Sequence, residues 1–196
     1  MSSGRDRIPA ADPRWPVLRL FDAYLARHPE EAALVARFRE FVLGHPDCLW
    51  RTCLVGHVTA SAWIVRPNGR QALLTHHRKL GRWLQLGGHV DGEPHVEQAA
   101  LREAVEESGM AHFELLGQAT GLVPLDLDVH AIPARAAEPA HDHWDVRFLL
   151  RAAPGQELVV SDESHDLRWF DATALRTVTD EESVLRLARK AERWLA

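Results

Sequence analysis

Cysteine is scarce in this sequence: of 196 residues only Cys48 and Cys53 carry a thiol. The four residues between them fit neither a zinc-ribbon spacing nor a Cys-x-x-Cys redox pair, so two buried free thiols are expected. Long apolar runs are missing too. No stretch comes near 18 uninterrupted apolar residues, and the arginines of Met1 to Arg14 have no apolar segment behind them, which argues against a membrane span and a secretory leader. Basic charge is in deficit, with 23 Lys and Arg against 28 Asp and Glu and a formal net charge of -5. That balance removes the footprint a nucleic acid polymer would need, and a phosphate-rich substrate would have to be met by metal ions at a local site. No internal repeat is found. A cytoplasmic protein acting on a small molecule is expected, with no nucleic-acid or membrane partner; a homodimer is compatible with this reading.

What is present supports a folded enzyme. Hydrophobic residues make up 46% of the chain, enough for a core, and 12 histidines exceed the roughly 4 or 5 of ordinary usage. Asp12-Pro13 reads as a helix start, and Val17, Leu18, Phe21, Tyr24 and Leu25 keep helical spacing until His28-Pro29. A second helix is expected over 30–43, with Leu34, Phe38, Phe41 and Val42 on its apolar face and Gly44 at its end. Residues 1–50 thus read as an N-terminal helical hairpin, a lid or packing extension, and 51–196 as the main domain. From Val58 the pattern turns to strands: Val58–Val65, a turn at Pro67-Asn68-Gly69, Gln71–His76, then Phe113–Val123, Leu127–Ile132, Asp145–Arg151 and Leu167–Phe170, with a loop over Pro133–His141. Thr179-Asp180-Glu181-Glu182 reads as a capping box for a closing helix that faces Val184, Leu187, Ala188, Ala191 and Leu195 inward. Strands with one marked helix in the middle and another at the end predict a mixed sheet between helices, an α/β/α layered domain.

The middle helix carries the chemistry. Pro94 suits its first turn, Gly109 its C-terminal cap, and Val96, Ala99, Ala100, Ala104 and Val105 its buried stripe. Glu103, Glu106 and Glu107 crowd the other side, where neighbours three and four apart repel one another unless a cation joins them. Oxygen ligands suit Mg²⁺ or Mn²⁺, which need few protein ligands because phosphates and water complete the shell.

The spacing Gly88, Arg102-Glu103-Ala104, Glu106-Glu107, Gly109-Met110 resembles the Nudix box. The resemblance covers about residues 57–195 and implies a Nudix-type α/β/α sandwich and a pyrophosphohydrolase. In such an enzyme, metals held by Glu103, Glu106, Glu107 and the Gly88 carbonyl stand against a diphosphate while water attacks the phosphoanhydride. It gives Arg102 the task of orienting Glu103 or Glu106. One position departs: the box Glu expected at 94 is Pro94, with Glu93 just before it. The general base is open among Asp142, Asp145 and Glu163. His76, His77, Arg78 and Lys79 form a candidate phosphate-contacting cluster, and Trp63, Trp83 and Trp169 are expected to pack in the core.

His57, His89 and His143 with Asp145 form a second candidate metal constellation. Their positions resemble those of isopentenyl-diphosphate isomerase, a Nudix-fold enzyme, and that likeness implies a further Zn²⁺ or Mn²⁺ ion. Gly87 stands where the isomerase has its catalytic cysteine, which disfavours isomerase chemistry. The third reading is a catalytically silent Nudix-like sensor, against which the three intact glutamates speak.

Overall fold

Ten consecutive buried residues, Gly56–Val65, form strand β1, the middle of the sheet in the computed structural model, which describes residues 8–117, 121–135, 138–162 and 164–196. Such a run belongs to a strand covered on both faces. Beside it lies β7 (His141–Ala152), parallel to it and paired from Gly56↔Asp142 to Val65↔Arg151. The other edge of β1 pairs antiparallel with β2 (Ala72–His77) through Ile64 and Val65, and with β4 (Leu86–His89) through Thr59 to Ala62. β3 (Arg82–Leu84) and β8 (Ser164–Phe170) pair with β2, while β5 (Phe113–Leu115) and β6 (Asp126–Ile132) pair with β7. The sheet is mixed, as expected.

Because strand side chains alternate, β1 feeds two cores. Val58, Ala60, Ala62 and Ile64 join α1 (Trp15–Arg27), α2 (Ala32–Gly44) and α3 (Val96–Ser108) in one cluster. Trp63 and Val65 join α4 (Ala172–Val178) and α5 (Glu182–Leu195) in the other. Helices therefore cover both faces. The N-terminal hairpin is built into the first core: Phe38 meets the Trp144 ring edge-on at 5.1 Å, and Phe41 stacks on it at 4.4 Å. Arg14, itself buried, donates to the Val42 carbonyl at the end of α2 and is gripped by Asp12.

Several local expectations need correction. Asp12-Pro13 does not cap α1, whose first residue is Trp15; Asp12 accepts from the Arg14 backbone and side chain instead. Pro94 precedes α3, and Val105 is exposed while Ser108 takes the buried position. The strand expected over Phe113–Val123 is three residues long, and its stretch 118–120 lies outside the described residues, as do 136–137 of the loop between β6 and β7. Thr179 accepts from the Glu181 amide, but α5 starts at Glu182 with no side-chain cap. The short α4 was not foreseen, although Asp171 caps it by accepting from the Thr173 and Ala174 amides. Gly69, at φ 72°, closes the β1–β2 turn with Asn68 accepting from the Arg70 amide.

A hairpin that shares the main core should be costly to truncate. Phe38→Ala is expected to lower stability by about 3–5 kcal/mol, read from the urea midpoint. Leu54→Ala, at a position 64% exposed, should stay within about 0.5 kcal/mol. Equal midpoints for the two would show that the helices do not contribute to the core.

Candidate active site

Helix α3 buries Val96, Ala99, Ala100 and Ala104 against the sheet and ends at Gly109, whose φ of 72° makes a left-handed cap. Its polar side begins with Glu103. The carboxylate of Glu103 lies over Gly88, so closely that a Cβ at position 88 would stand 2.7 Å from it. Arg102 fixes this arrangement: one Nη2 donates to Glu103 Oε1 at 2.8 Å and to the His89 carbonyl at 2.7 Å. Glu106 is exposed, with Oε1 4.0 Å from Arg102 Nε, and Glu107 is half-buried one residue on. An all-oxygen donor set around a glycine that leaves room for it fits a hard divalent cation.

The segment between Gly88 and α3 is pinned from the side. Arg51 holds Asp91 through two bonds of 2.7 and 2.8 Å, and Gly92 donates to the Leu49 carbonyl while its Cα lies against the Trp50 ring. Asp91 takes a left-handed φ of 50°, which Asp tolerates better than most residues. Glu93 accepts from the His95 amide at 2.9 Å, so its carboxylate is bonded to backbone at the mouth of α3.

On the other face of the sheet, pairing of β1 with β7 sets His57 against His143, Thr59 against Asp145 and Ser61 against Arg147. Thr59 also pairs with His89 of β4. One ring nitrogen each of His57, His89 and His143 lies within 4.8 Å of the other two. His130 and His141, which the sequence reading passed over, bring their rings to 5.3 and 5.2 Å from that of His143. Burial, with neighbouring imidazoles adding to it, pushes His143 down to about 2. Burial and the Arg51 charge take His89 to about 4, and burial lowers His57 as well.

Asp145 does not join these rings. Its oxygens accept from Thr59 and Ser61 hydroxyls and from Arg147 Nε at 2.8 Å. Arg147 also donates to Asp126 and Asp128, which Arg186 bridges in turn. Burial opposes ionisation of Asp128, but His130, Arg147 and Arg186 together hold its carboxyl below the usual range. The signal for these missed residues was period two: Asp126-x-Asp128-x-His130 and His141-x-His143-x-Asp145-x-Arg147 each line one face of a strand.

The remaining candidates are spread out. His76 packs on Trp83 and His165, Arg78 donates to the Ser164 carbonyl, and the Lys79 amide donates to His77 Nδ1, all around the β2–β3 turn. Trp63 is buried, Trp83 meets Phe170 edge-on, and Trp169 carries the Arg66 guanidinium over its ring. Cys48 and Cys53 are buried and free, with burial pushing their thiols up to about 12 and about 11. Asp142 begins the β1 pairing opposite Gly56, and Glu163 lies outside the described residues. None of the described helices is long and apolar enough to cross a membrane.

Comparison with known proteins is consistent with this geometry. A family model described as NUDIX domain matches residues 55–190. A Mycobacterium tuberculosis protein named as an 8-oxo-dGTP diphosphatase is 32% identical over 111 residues, 53% of this chain; the match spans about half the length of that relative, 46%. The solved NUDIX-family hydrolase of Clostridium perfringens is 25% identical with a TM-score of 0.57, covering 71% of this chain and 98% of that one. The MutT NUDIX hydrolase of Burkholderia pseudomallei is 26% identical with a TM-score of 0.50, covering 72% and 98%.

The lowered histidines have a consequence for stability. In the unfolded chain their rings take up protons below about 6.5, whereas in the fold burial lowers all three, His89 to about 4. The folded state then binds fewer protons, so the stability they allow is complete above about 6.5 and is lost as pH falls through the window towards about 4. For chelator-treated protein the urea midpoint is expected to drop between about pH 7 and pH 5, and less steeply in His143→Gln. Identical slopes for both proteins would mean that the ring protonates in the fold as readily as in water.

Proposed function

Because this chain belongs to the NUDIX domain family, we propose that it is a metal-dependent pyrophosphohydrolase that opens a phosphoanhydride in a nucleotide-like diphosphate by attack of water. The observation that carries this reading is the Arg102 side chain bonded at once to Glu103 and to the His89 carbonyl, which holds the Glu103 carboxylate over Gly88. Restraining an acidic side chain in this way costs rotamer freedom, and it prepares the oxygen atoms for a ligand before that ligand arrives.

Glu103, Glu106, Glu107 and the Gly88 carbonyl would hold Mg²⁺ or Mn²⁺, and when bound such an ion supplies charge against the phosphate oxygens. The protein's own share is positional. Arg102 keeps Glu103 in place, and the Arg51–Asp91 pair and the Leu49 carbonyl fix the chain that leads from Gly88 into α3. Among the carboxylates open as general base, Asp145 is the least suited, since its oxygens are taken by Thr59, Ser61 and Arg147, which leaves Asp142 and Glu163. His76, His77, Arg78 and Lys79 offer donors to a phosphate from the β2–β3 turn. The name of the Mycobacterium tuberculosis relative supports a nucleotide as the diphosphate's other half, and free buried thiols suit a reducing cytoplasm.

A panel of nucleoside triphosphates, dinucleoside polyphosphates and nucleoside diphosphate sugars, incubated with Mg²⁺ or Mn²⁺ and followed by chromatography for loss of the parent compound and appearance of its two phosphorylated halves, tests the activity. On any compound turned over, Glu106→Gln and Glu107→Gln are each expected to lose about 10²–10³ in kcat with an unchanged Tm. Full turnover in either variant would remove the helix from the reaction.

A further inference from the structure

The geometry points to a second metal site, formed by the imidazoles of His57, His89 and His143, that takes one borderline transition-metal ion such as Zn²⁺ or Co²⁺. It lies across the sheet from the Glu103 side of α3. Gly88 directs the position of its absent side chain towards Glu103, so the next residue, His89, points its ring to the opposite face, where Thr59 pairs with it. The inference stands whether or not the chain hydrolyses diphosphates.

His57 supplies the first argument. It is only 4% exposed, and neither ring nitrogen has a hydrogen-bond partner of ordinary geometry. A neutral imidazole has one N–H and one lone pair to satisfy, and burying both unpaired costs about 1–3 kcal/mol each. Convergence supplies the second. Three nitrogens within 4.8 Å of one another need only modest ring rotation to reach the roughly 3.3 Å separation that tetrahedral Zn–N bonds of about 2.0–2.1 Å impose. The surroundings supply the third, since His130 and His141 also crowd His143, with His141 Nε2 3.3 Å from His143 Nε2. The three converging ligands are all imidazoles, with the nearest carboxylate of the group, Asp128, set against His130 at 3.5 Å; such a donor set presents lone pairs instead of charge, which suits Zn²⁺, Co²⁺ or Ni²⁺ and not Mg²⁺.

The test titrates Co²⁺ into the full chain in excess Mg²⁺, which occupies oxygen-ligand sites, and follows the visible bands of four-coordinate Co²⁺. One equivalent is expected to bind to wild type and to a Glu106→Gln, Glu107→Gln double variant, with affinity at least about 100-fold lower in His89→Gln and in His143→Ala. Wild type that shows no such band, or the same affinity in the histidine variants, would overturn the site. Should those variants fail to fold by circular dichroism, proton NMR of Co²⁺-loaded wild type decides: three hyperfine-shifted imidazole N–H signals support the site, and fewer than three refute it.

Discussion

The parallel pairing of β1 with β7 is the constraint on which the rest of the structure depends. It is continuous from Gly56↔Asp142 to Val65↔Arg151, and both strands are covered on each face, so a shift of one residue would exchange the two faces completely. Val58, Ala60 and Ala62 would turn away from α3, and His57, Thr59 and Ser61 would enter an apolar core. The penalty for burying those polar groups without partners keeps the register in place. The same register that assembles the two cores therefore assembles the row of polar pairs.

That row has to be neutralised where it runs under α5. Asp126 is fully buried, and Arg147 is 2% exposed. Arg147, Arg186 and Lys190 meet Asp126, Asp128, Asp145 and Glu31 in a continuous set of contacts, which Tyr24 joins through Lys190. Buried ion pairs of this sort add little net stability over an apolar packing, because desolvation offsets most of the attraction. Their effect here is on placement. They tie the middle of α5, through Arg186 and Lys190, to β6 and to the helical turn at Pro29–Glu31, and so join the N-terminal helices and the closing helix to the sheet.

Much of this was legible in the sequence, for reasons that differ from residue to residue. Alternation and turn chemistry revealed the β1–β2 hairpin because Asn68 and Gly69 act locally. Gly88, Arg102 and the three glutamates were legible because fixed spacing on a helix is fixed geometry. His57, His89 and His143 could be grouped from the resemblance, yet Asp145 was placed with them wrongly: two residues along β7 it faces Thr59 and Ser61, which is a fact of strand pairing that spacing within one segment does not contain. His130 and His141 were missed for the same reason, and α4 because about two turns of helix after a strand leave almost no periodic trace.

The bond from Arg102 to position 89 is made to a carbonyl, not to a side chain. Every amino acid provides that acceptor, so the anchor of the carboxylate helix is indifferent to what the sequence places at residue 89. The two faces of this four-residue strand are thus unequal in how they tolerate change. On one, Gly88 admits no substituent without displacing Glu103; on the other, the imidazole can be exchanged for another group while the main chain beneath it goes on serving the helix. Relatives of this chain are free to differ in the chemistry of the histidine face and still keep the same glutamate face.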